Sequence, residues 1–223
     1  MKDLSQYGPR LRAAAKEMCL ELTAAQEAAL WGYLEQLQRW NRAYNLTAIR
    51  DVNQMLVQHV FDSLAVVAPV ADILDKNTVD KVIVDVGSGA GLPGTVLAIM
   101  CPQAIVHCVD TVEKKATFIR YVAGVLRLPN LRAHHARIEE LPPFNADLVV
   151  SRAFASLLDF ATLAGRHVRP QGHLLAMKGK EPSEEIAELH ENSAWRVAHV
   201  DPLQVPELDA RRCLVWLTQQ GTL

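Results

Sequence analysis

Residues 85 to 94 read DVGSGAGLPG, a carboxylate followed by four glycines. Glycine at such spacing lets a backbone turn tightly and lets a ligand come close to the main chain. Gly89-Ala90-Gly91-Leu92-Pro93-Gly94 satisfies G-x-G-x-x-G, and Asp110 lies 21 residues beyond Gly89, so spacing alone fits a dinucleotide fingerprint. Asp85 argues for a different ligand. At the carboxyl end of a strand, at the mouth of the loop, its charge would face a pyrophosphate with a repulsion on the order of kcal/mol. A sulfonium and an ammonium suit an acidic strand end. The D-x-G-x-G-x-G pattern of Asp85, Gly87, Gly89 and Gly91 therefore points to S-adenosylmethionine as cofactor. Asp110, expected to end the next strand, can accept from both ribose hydroxyls of either ligand.

These residues need strand ends to hold them, and the hydrophobic pattern supplies strands. KVIVDVG, in a strand expected from Val79, is the nearly all-apolar run of a parallel strand covered on both faces. A helix is expected from about Gly94 to Met100, a strand over 104–110, and a helix over 114–126. A short strand with its loop falls in 131–140, a fourth strand over 147–153, a helix over 156–168 and a fifth strand over 172–179. Strands alternating with helices predict a doubly wound, Rossmann-like α/β sheet. The tail changes rhythm: two strands, about 195–201 and 212–218, follow one another with no helix between, so one strand must run antiparallel to an otherwise parallel sheet. Dinucleotide folds lack that pair. Residues 1–74 are helical in pattern, with Thr23 and Gln26 as a capping box, and form an N-terminal extension packed on a catalytic domain of residues 75–223.

At 223 residues, half of them hydrophobic and with a net charge of -2, the chain suits one substantial core with an appendage. The first 18 residues lack the apolar region of a secretory signal. No apolar run approaches the roughly 20 residues of a membrane span, so a cytoplasmic protein without membrane contact is expected. Cys19, Cys101, Cys108 and Cys213 have no C-x-x-C or zinc spacing and read as reduced, mostly buried thiols; no metal is expected. Residues 110–180 carry eleven Lys/Arg against six Asp/Glu, and residues 181–223 three against eight. A basic middle facing one way is an electrostatic footprint for RNA, although a solvated surface is the plainer reading. Lys114, Lys115 and Arg120, on or just before one helix, are the candidates for phosphate contact.

NLT at 45–47, HVFDSL at 59–64, DVGSGAGLPG at 85–94, SRAFASL at 151–157 and MKG at 177–179 occur in this order. Together they resemble the bacterial small-subunit rRNA guanine-N7 methyltransferase family RsmG, also called GidB, over nearly the whole chain. The resemblance implies methylation by S-adenosylmethionine of N7 of a guanine in the 530 loop of 16S rRNA (G527 in rRNA numbering). It implies cofactor contacts at Gly87, Leu92, Ile138, Glu139 and Arg152. It also implies a partner that is 16S rRNA or a 30S assembly particle, met by a monomer. The loop DTVEKKATF departs from the family's commoner D-S-L, and the loop over 140–147 is short; neither touches the cofactor motif.

After the fourth strand the chain reads Ser151-Arg152-Ala153-Phe154. This is neither the N/D/S-P-P-aromatic motif of exocyclic-amine methylation nor the Pro-Cys nucleophile of pyrimidine-carbon methylation. Guanine N7 has an in-plane lone pair and no proton to lose, so no general base is needed, and none is assigned. Arg152 is a positioning candidate, with a strand-end ion pair as the plainer alternative. Phe154 reads as core, His134 and His135 as exposed loop residues, and His59 and Asp62 as neighbours on one helix face. Two other classes stay open: an NAD-binding oxidoreductase, against which Asp85 and the missing substrate domain count, and a non-catalytic RNA-binding module.

Overall fold

The structure, a computed structural model of the chain, describes residues 8–74, 81–152 and 154–219. Three helices come first: α1 (Gly8–Glu17), α2 (Ala24–Tyr44) and α3 (Val52–Ile73). The capping box forms at Thr23, whose hydroxyl accepts from the Gln26 N–H at 3.2 Å while Gln26 Oε1 accepts from the Thr23 N–H at 2.9 Å. Asn45 ends α2 in the left-handed region, with φ of 48°. Inside α3 one turn is a π-helix, Leu56–Phe61, the local widening that often accompanies a functional site. Contrary to the expectation from apolar runs, α3 is long and apolar enough to cross a membrane. However, 67% of its most apolar window is buried by the rest of the fold, which makes it a core helix.

The sheet then follows: β1 (Lys81–Val86), α4 (Gly94–Met100), β2 (Ala104–Asp110), α5 (Glu113–Val125), β3 (Leu131–His135), β4 (Ala146–Ser151), α6 (Leu157–Ala164), β5 (Val168–Lys178), α7 (Ser183–Asn192), β6 (Trp195–Leu203) and β7 (Arg212–Gln219). Its order is β3-β2-β1-β4-β5-β7-β6. The first five strands pair in parallel, and β7 runs antiparallel to both β5 and β6. This is the doubly wound sheet with an antiparallel last strand that the pattern predicts. The expected strand start at Val79 falls within residues 75–80 and the expected boundary after residue 74 adjoins them; these residues lie outside the described ones, as does Ala153.

Three local expectations need correction. α7 was not anticipated, because its apolar stripe is narrow: Leu189 is its only buried side chain. β5 begins at Val168, where a helix was expected to end, since a 3₁₀ turn, Gly165–His167, closes α6 early. His134 and His135 belong to β3 rather than to a loop, and His134 stacks on His107 with 2.8 Å between their facing nitrogens.

Successive strand residues point to opposite faces, so each strand feeds two cores. Ile83, Leu148 and Leu175 pack on one face against Leu30, Leu34, Leu37 and Phe61 of the N-terminal helices. Val84, Val149 and Leu174 pack on the other against Leu157, Phe160 and Leu189. The N-terminal helices also reach the glycine loop directly, where the buried Tyr33 hydroxyl donates to the Ala90 carbonyl at 2.9 Å. Tyr33→Phe keeps the ring contacts and removes the donor. It should lower stability by about 1–2 kcal/mol and increase amide exchange around Ala90. Unchanged urea unfolding and exchange would mean that the loop does not lean on α2.

Candidate active site

The strand order reverses between β1 and β4, and in open α/β sheets ligands sit outside the strand carboxyl ends at that point. Two cavities lie at the carboxyl ends of the parallel strands. The first, about 220 Å³, is lined by Gly87, Asp110, Ile138, Glu139, Phe154 and Leu163, among others. A wider cleft of about 1080 Å³ follows the loop before β7, but it meets no carboxyl end of the parallel strands β1 to β4.

Two carboxylates hold the loop that roofs β1. Asp85 is fully buried, and its Oδ2 accepts from the Gly94 N–H at 2.8 Å. A Cβ on Gly94 would lie 2.8 Å from that oxygen and collide with Cys108 Sγ, so only glycine lets α4 start this close to the strand. Asp110 holds the other side, with Oδ2 accepting from Gly89 N–H at 2.8 Å and Oδ1 from Val112 N–H at 2.9 Å. Gly87, Gly89 and Gly91 all have positive φ, between 60° and 85°, so the loop's course is one that L side chains resist.

This geometry changes the reading of Asp85. It is not at the mouth of the loop but beneath it, outside the cavity lining, and so it does not present charge to a ligand. Asp85 therefore exerts no repulsion that would exclude a pyrophosphate, and the antiparallel β7 is what separates this fold from dinucleotide folds. Leu92, within the loop, is likewise buried and outside the cavity lining, and Gly89 faces open space. Gly87, Asp110, Ile138 and Glu139 do come together. Phe154, read as core, lines the same cavity while stacking on Phe160 with centroids 5.1 Å apart. These residues fit S-adenosylmethionine. Val86, Val109, Ile138, Phe154 and Leu163 offer an apolar slot for a purine. An ionised carboxylate has about four acceptor positions, and Asp110, with two in use, keeps room for a ribose diol.

The second cavity, about 320 Å³, lies beside the ends of β4 and β5, lined by His59, Asp62, Arg152, Met177, Lys178 and Arg212, among others. Asp62 is buried, and its two oxygens accept from two guanidiniums: Oδ2 from Arg152 at 3.2 Å and Oδ1 from Arg212 Nε at 2.9 Å. Arg152 therefore does make the strand-end ion pair, within a three-residue cluster that includes Arg212, a residue absent from the sequence reading. Two cations on one anion leave a local positive charge. His59 is held neutral: burial first, and the Arg152 charge second, push its pKa down to about 4. Its Nδ1 lies 3.1 Å from the Gln58 carbonyl, which can only accept, so Nδ1 carries the proton. Nε2 then accepts from the Thr47 hydroxyl at 3.0 Å, which itself accepts from Ile49 N–H.

Lys115 turns toward the first cavity and pairs with Asp110 at 3.7 Å. Lys114 donates to the Tyr44 carbonyl at 2.7 Å, and Arg120 to Thr117 Oγ1 at 3.1 Å; both are exposed. Among the described residues no group of three or more His, Cys, Asp or Glu could hold a metal.

A seven-stranded sheet in this order, with β7 reversed, defines the fold of class I S-adenosylmethionine-dependent methyltransferases. Similar solved structures include a SAM-dependent methyltransferase from Aquifex aeolicus, 19% identical with a TM-score of 0.52, covering 74% of this chain and 92% of that one. A second, from Geobacter sulfurreducens in complex with S-adenosyl-L-homocysteine, is 11% identical with a TM-score of 0.51, covering 69% and 90%. At the level of family, the model for rRNA small subunit methyltransferase G matches residues 26–215. Ribosomal RNA small subunit methyltransferase G of Bordetella petrii is 60% identical over 215 residues, 96% of this chain and 84% of that protein. Its namesake in Methylibium petroleiphilum is 51% identical over 219 residues, 98% and 97% of the two chains. The chain belongs to the rRNA small subunit methyltransferase G family.

Burial pushes the Asp85 carboxyl up to about 7, outweighing the Gly94 N–H and the Arg152 charge, which pull it down. An ordinary carboxyl titrates at 3.8, so the folded state holds this proton more tightly than the unfolded chain. The stability it contributes is complete below about pH 4 and lost as pH rises through about 7. Asp85→Asn cannot ionise. Its stability relative to wild type should rise between about pH 4 and 7 and then level off, gaining up to about 4 kcal/mol. Urea unfolding across that range would read this out, and a difference independent of pH would contradict it.

Proposed function

We propose that this chain transfers a methyl group from S-adenosylmethionine to N7 of a guanine in small-subunit rRNA, the 530-loop guanine implied by the resemblance. The setting is the cytoplasm, and the substrate is 16S rRNA or a 30S particle. The carrying observation is the pairing of the two cavities: one offers a diol-accepting carboxylate between apolar walls, and the other two guanidiniums that share the single carboxylate of Asp62. When bound, S-adenosylmethionine supplies an electrophilic methyl group on a sulfonium. Gly87, Asp110, Ile138 and Glu139 would hold its adenosine, while Asp85, Gly89 and Leu92 act through the loop.

The nucleophile needs no deprotonation, and the residues around the second cavity match that need. His59 has both nitrogens engaged, and Asp62 both oxygens. What the chain contributes is in-line positioning and an electrostatic setting fixed before positive charge reaches the base. Arg152 and Arg212 carry donors suited to guanine O6 or a phosphate, and neither can hydrogen-bond the N7 that is being methylated. Lys115 pairs with Asp110 of the first cavity, and Lys114 and Arg120 are exposed on the same helix, α5, a distribution of charge in keeping with an RNA substrate.

Tritiated-methyl transfer to 30S subunits and to naked 16S rRNA tests the reading. RNA binding without transfer to either would favour the non-catalytic module. In single turnover with saturating cofactor, the transfer rate should be nearly flat from about pH 6 to 8.5, below the range where guanine N1 and lysines titrate. Arg152→Ala should lower it by roughly one to two orders of magnitude with the profile still flat. Arg152→Lys should recover only part, since an ammonium cannot reproduce a planar two-point contact. A rate rising tenfold per pH unit, and losing that rise in His59→Ala or Asp62→Asn, would reveal a general base and refute the mechanism.

A further inference from the structure

Among the described residues, the large hydrophobic side chains left exposed are Tyr44, Val112, Tyr121 and Val125, between 36% and 50% accessible. Two of them, Tyr44 and Tyr121, meet at one neighbour, Trp40. Tyr44 ends α2, Val112 is the N-cap of α5, and Tyr121 and Val125 lie along α5. Exposed apolar residues scattered singly need no explanation, whereas a contiguous group marks an interaction surface. Both tyrosine rings lean on Trp40, with centroids 5.0 Å and 5.1 Å away, and Trp40 leans on the buried Phe118 at 5.5 Å. The rings are thus backed by the core, and little side-chain freedom remains to be lost on binding.

Cations lie on the same two helices as these rings. Lys114 stands seven residues before Tyr121, two turns along the same side of α5, and its bond to the Tyr44 carbonyl holds the ammonium beside that residue. Arg120, which precedes Tyr121 in the chain, is exposed as well. Glu113 is the exposed acid on the adjoining turn. Fixed aromatic faces interleaved with guanidinium and ammonium groups suit an unpaired nucleic-acid strand, whose bases stack while its phosphates pair. A purely apolar protein surface would have no use for the cations.

We propose that Tyr44 and Tyr121, backed by Trp40 and flanked by Lys114 and Arg120, form a stacking platform for an unpaired stretch of the RNA substrate. The inference rests on the reading of the chain as an rRNA methyltransferase and extends it. Lys115, adjacent to Lys114, pairs with Asp110 of the cofactor cavity, so the platform starts at that cavity's rim. It would hold RNA that flanks the target base while the base itself enters beside Arg152.

The test uses the full chain and a short, unstructured, fluorescein-labelled oligoribonucleotide, followed by anisotropy. Tyr44→Leu and Tyr121→Leu should each weaken binding by about tenfold, and Tyr121→Phe should stay near wild type because the stacking face remains. Lys114→Ala should reduce the salt slope of binding by about 0.7. Calorimetric S-adenosylmethionine binding should be unchanged in the tyrosine variants, which shows that they are folded. Wild-type affinity in the double leucine variant, or no binding by wild type, would overturn the platform. So would a tyrosine-dependent dimer in sedimentation, which would assign the face to a second copy. Tyrosine-dependent RNA binding without methyl transfer to any rRNA would instead overturn the functional reading and leave the platform in place.

Discussion

The site depends on one constraint: a glycine loop pinned from below by Asp85 and from the side by Asp110. Asp85 takes the first amide of α4, and Asp110 takes the amide of Gly89. The Gly87 and Ser88 amides both donate to the Val109 carbonyl at the end of β2, at 2.9 Å and 3.1 Å. The loop is thereby held to the ends of two adjacent strands, and its positive-φ course is over-determined rather than merely permitted. Tyr33 adds a tie from the N-terminal helices. The side of the first cavity formed by Gly87 and Asp110 takes its place from this arrangement, since both are lining residues and both belong to these ties.

A second constraint sets the electrostatics. Asp62 reaches the cavity from α3, across the widened turn, and gathers Arg152 from the end of β4 and Arg212 from the start of β7. One carboxylate thus ties a parallel strand, the antiparallel strand and the N-terminal extension together around an electropositive hollow. Burial first, and the Arg152 charge second, keep His59 neutral, and Thr47 takes its one acceptor nitrogen. Such a site is better built to orient a nucleophile that already has its lone pair than to create one. The antiparallel β7 therefore contributes more than a fold signature: it carries the second guanidinium to the site.

The strand pattern was legible because parallel strands buried on both faces leave short apolar runs, and nearly every expected strand lies within a few residues of its observed place. The glycine loop was legible for the same local reason. The role of Asp85 was not, because periodicity gives the position of a strand end but not whether its last side chain points up to a ligand or down to a helix amide. Arg212 was out of reach for a related reason: it lies 150 residues from its partner Asp62, and only the reversal of β7 brings the two together. Phe154 shows the limit of a core-or-site choice, since it packs on Phe160 and lines the cavity at once. α7 was missed because a helix with a single buried side chain carries almost no periodic signal.

The central claim is that this site positions a nucleophile that needs no base. It is tested most directly by the identity of the methylated nucleoside. Small-subunit rRNA methylated by the purified protein would be digested to nucleosides and analysed by mass spectrometry against authentic standards. The account predicts 7-methylguanosine as the product. A methyl group on an exocyclic amine or on a pyrimidine carbon would contradict it, because those reactions require proton removal or a covalent nucleophile that the cavity around Arg152 and Arg212 does not supply.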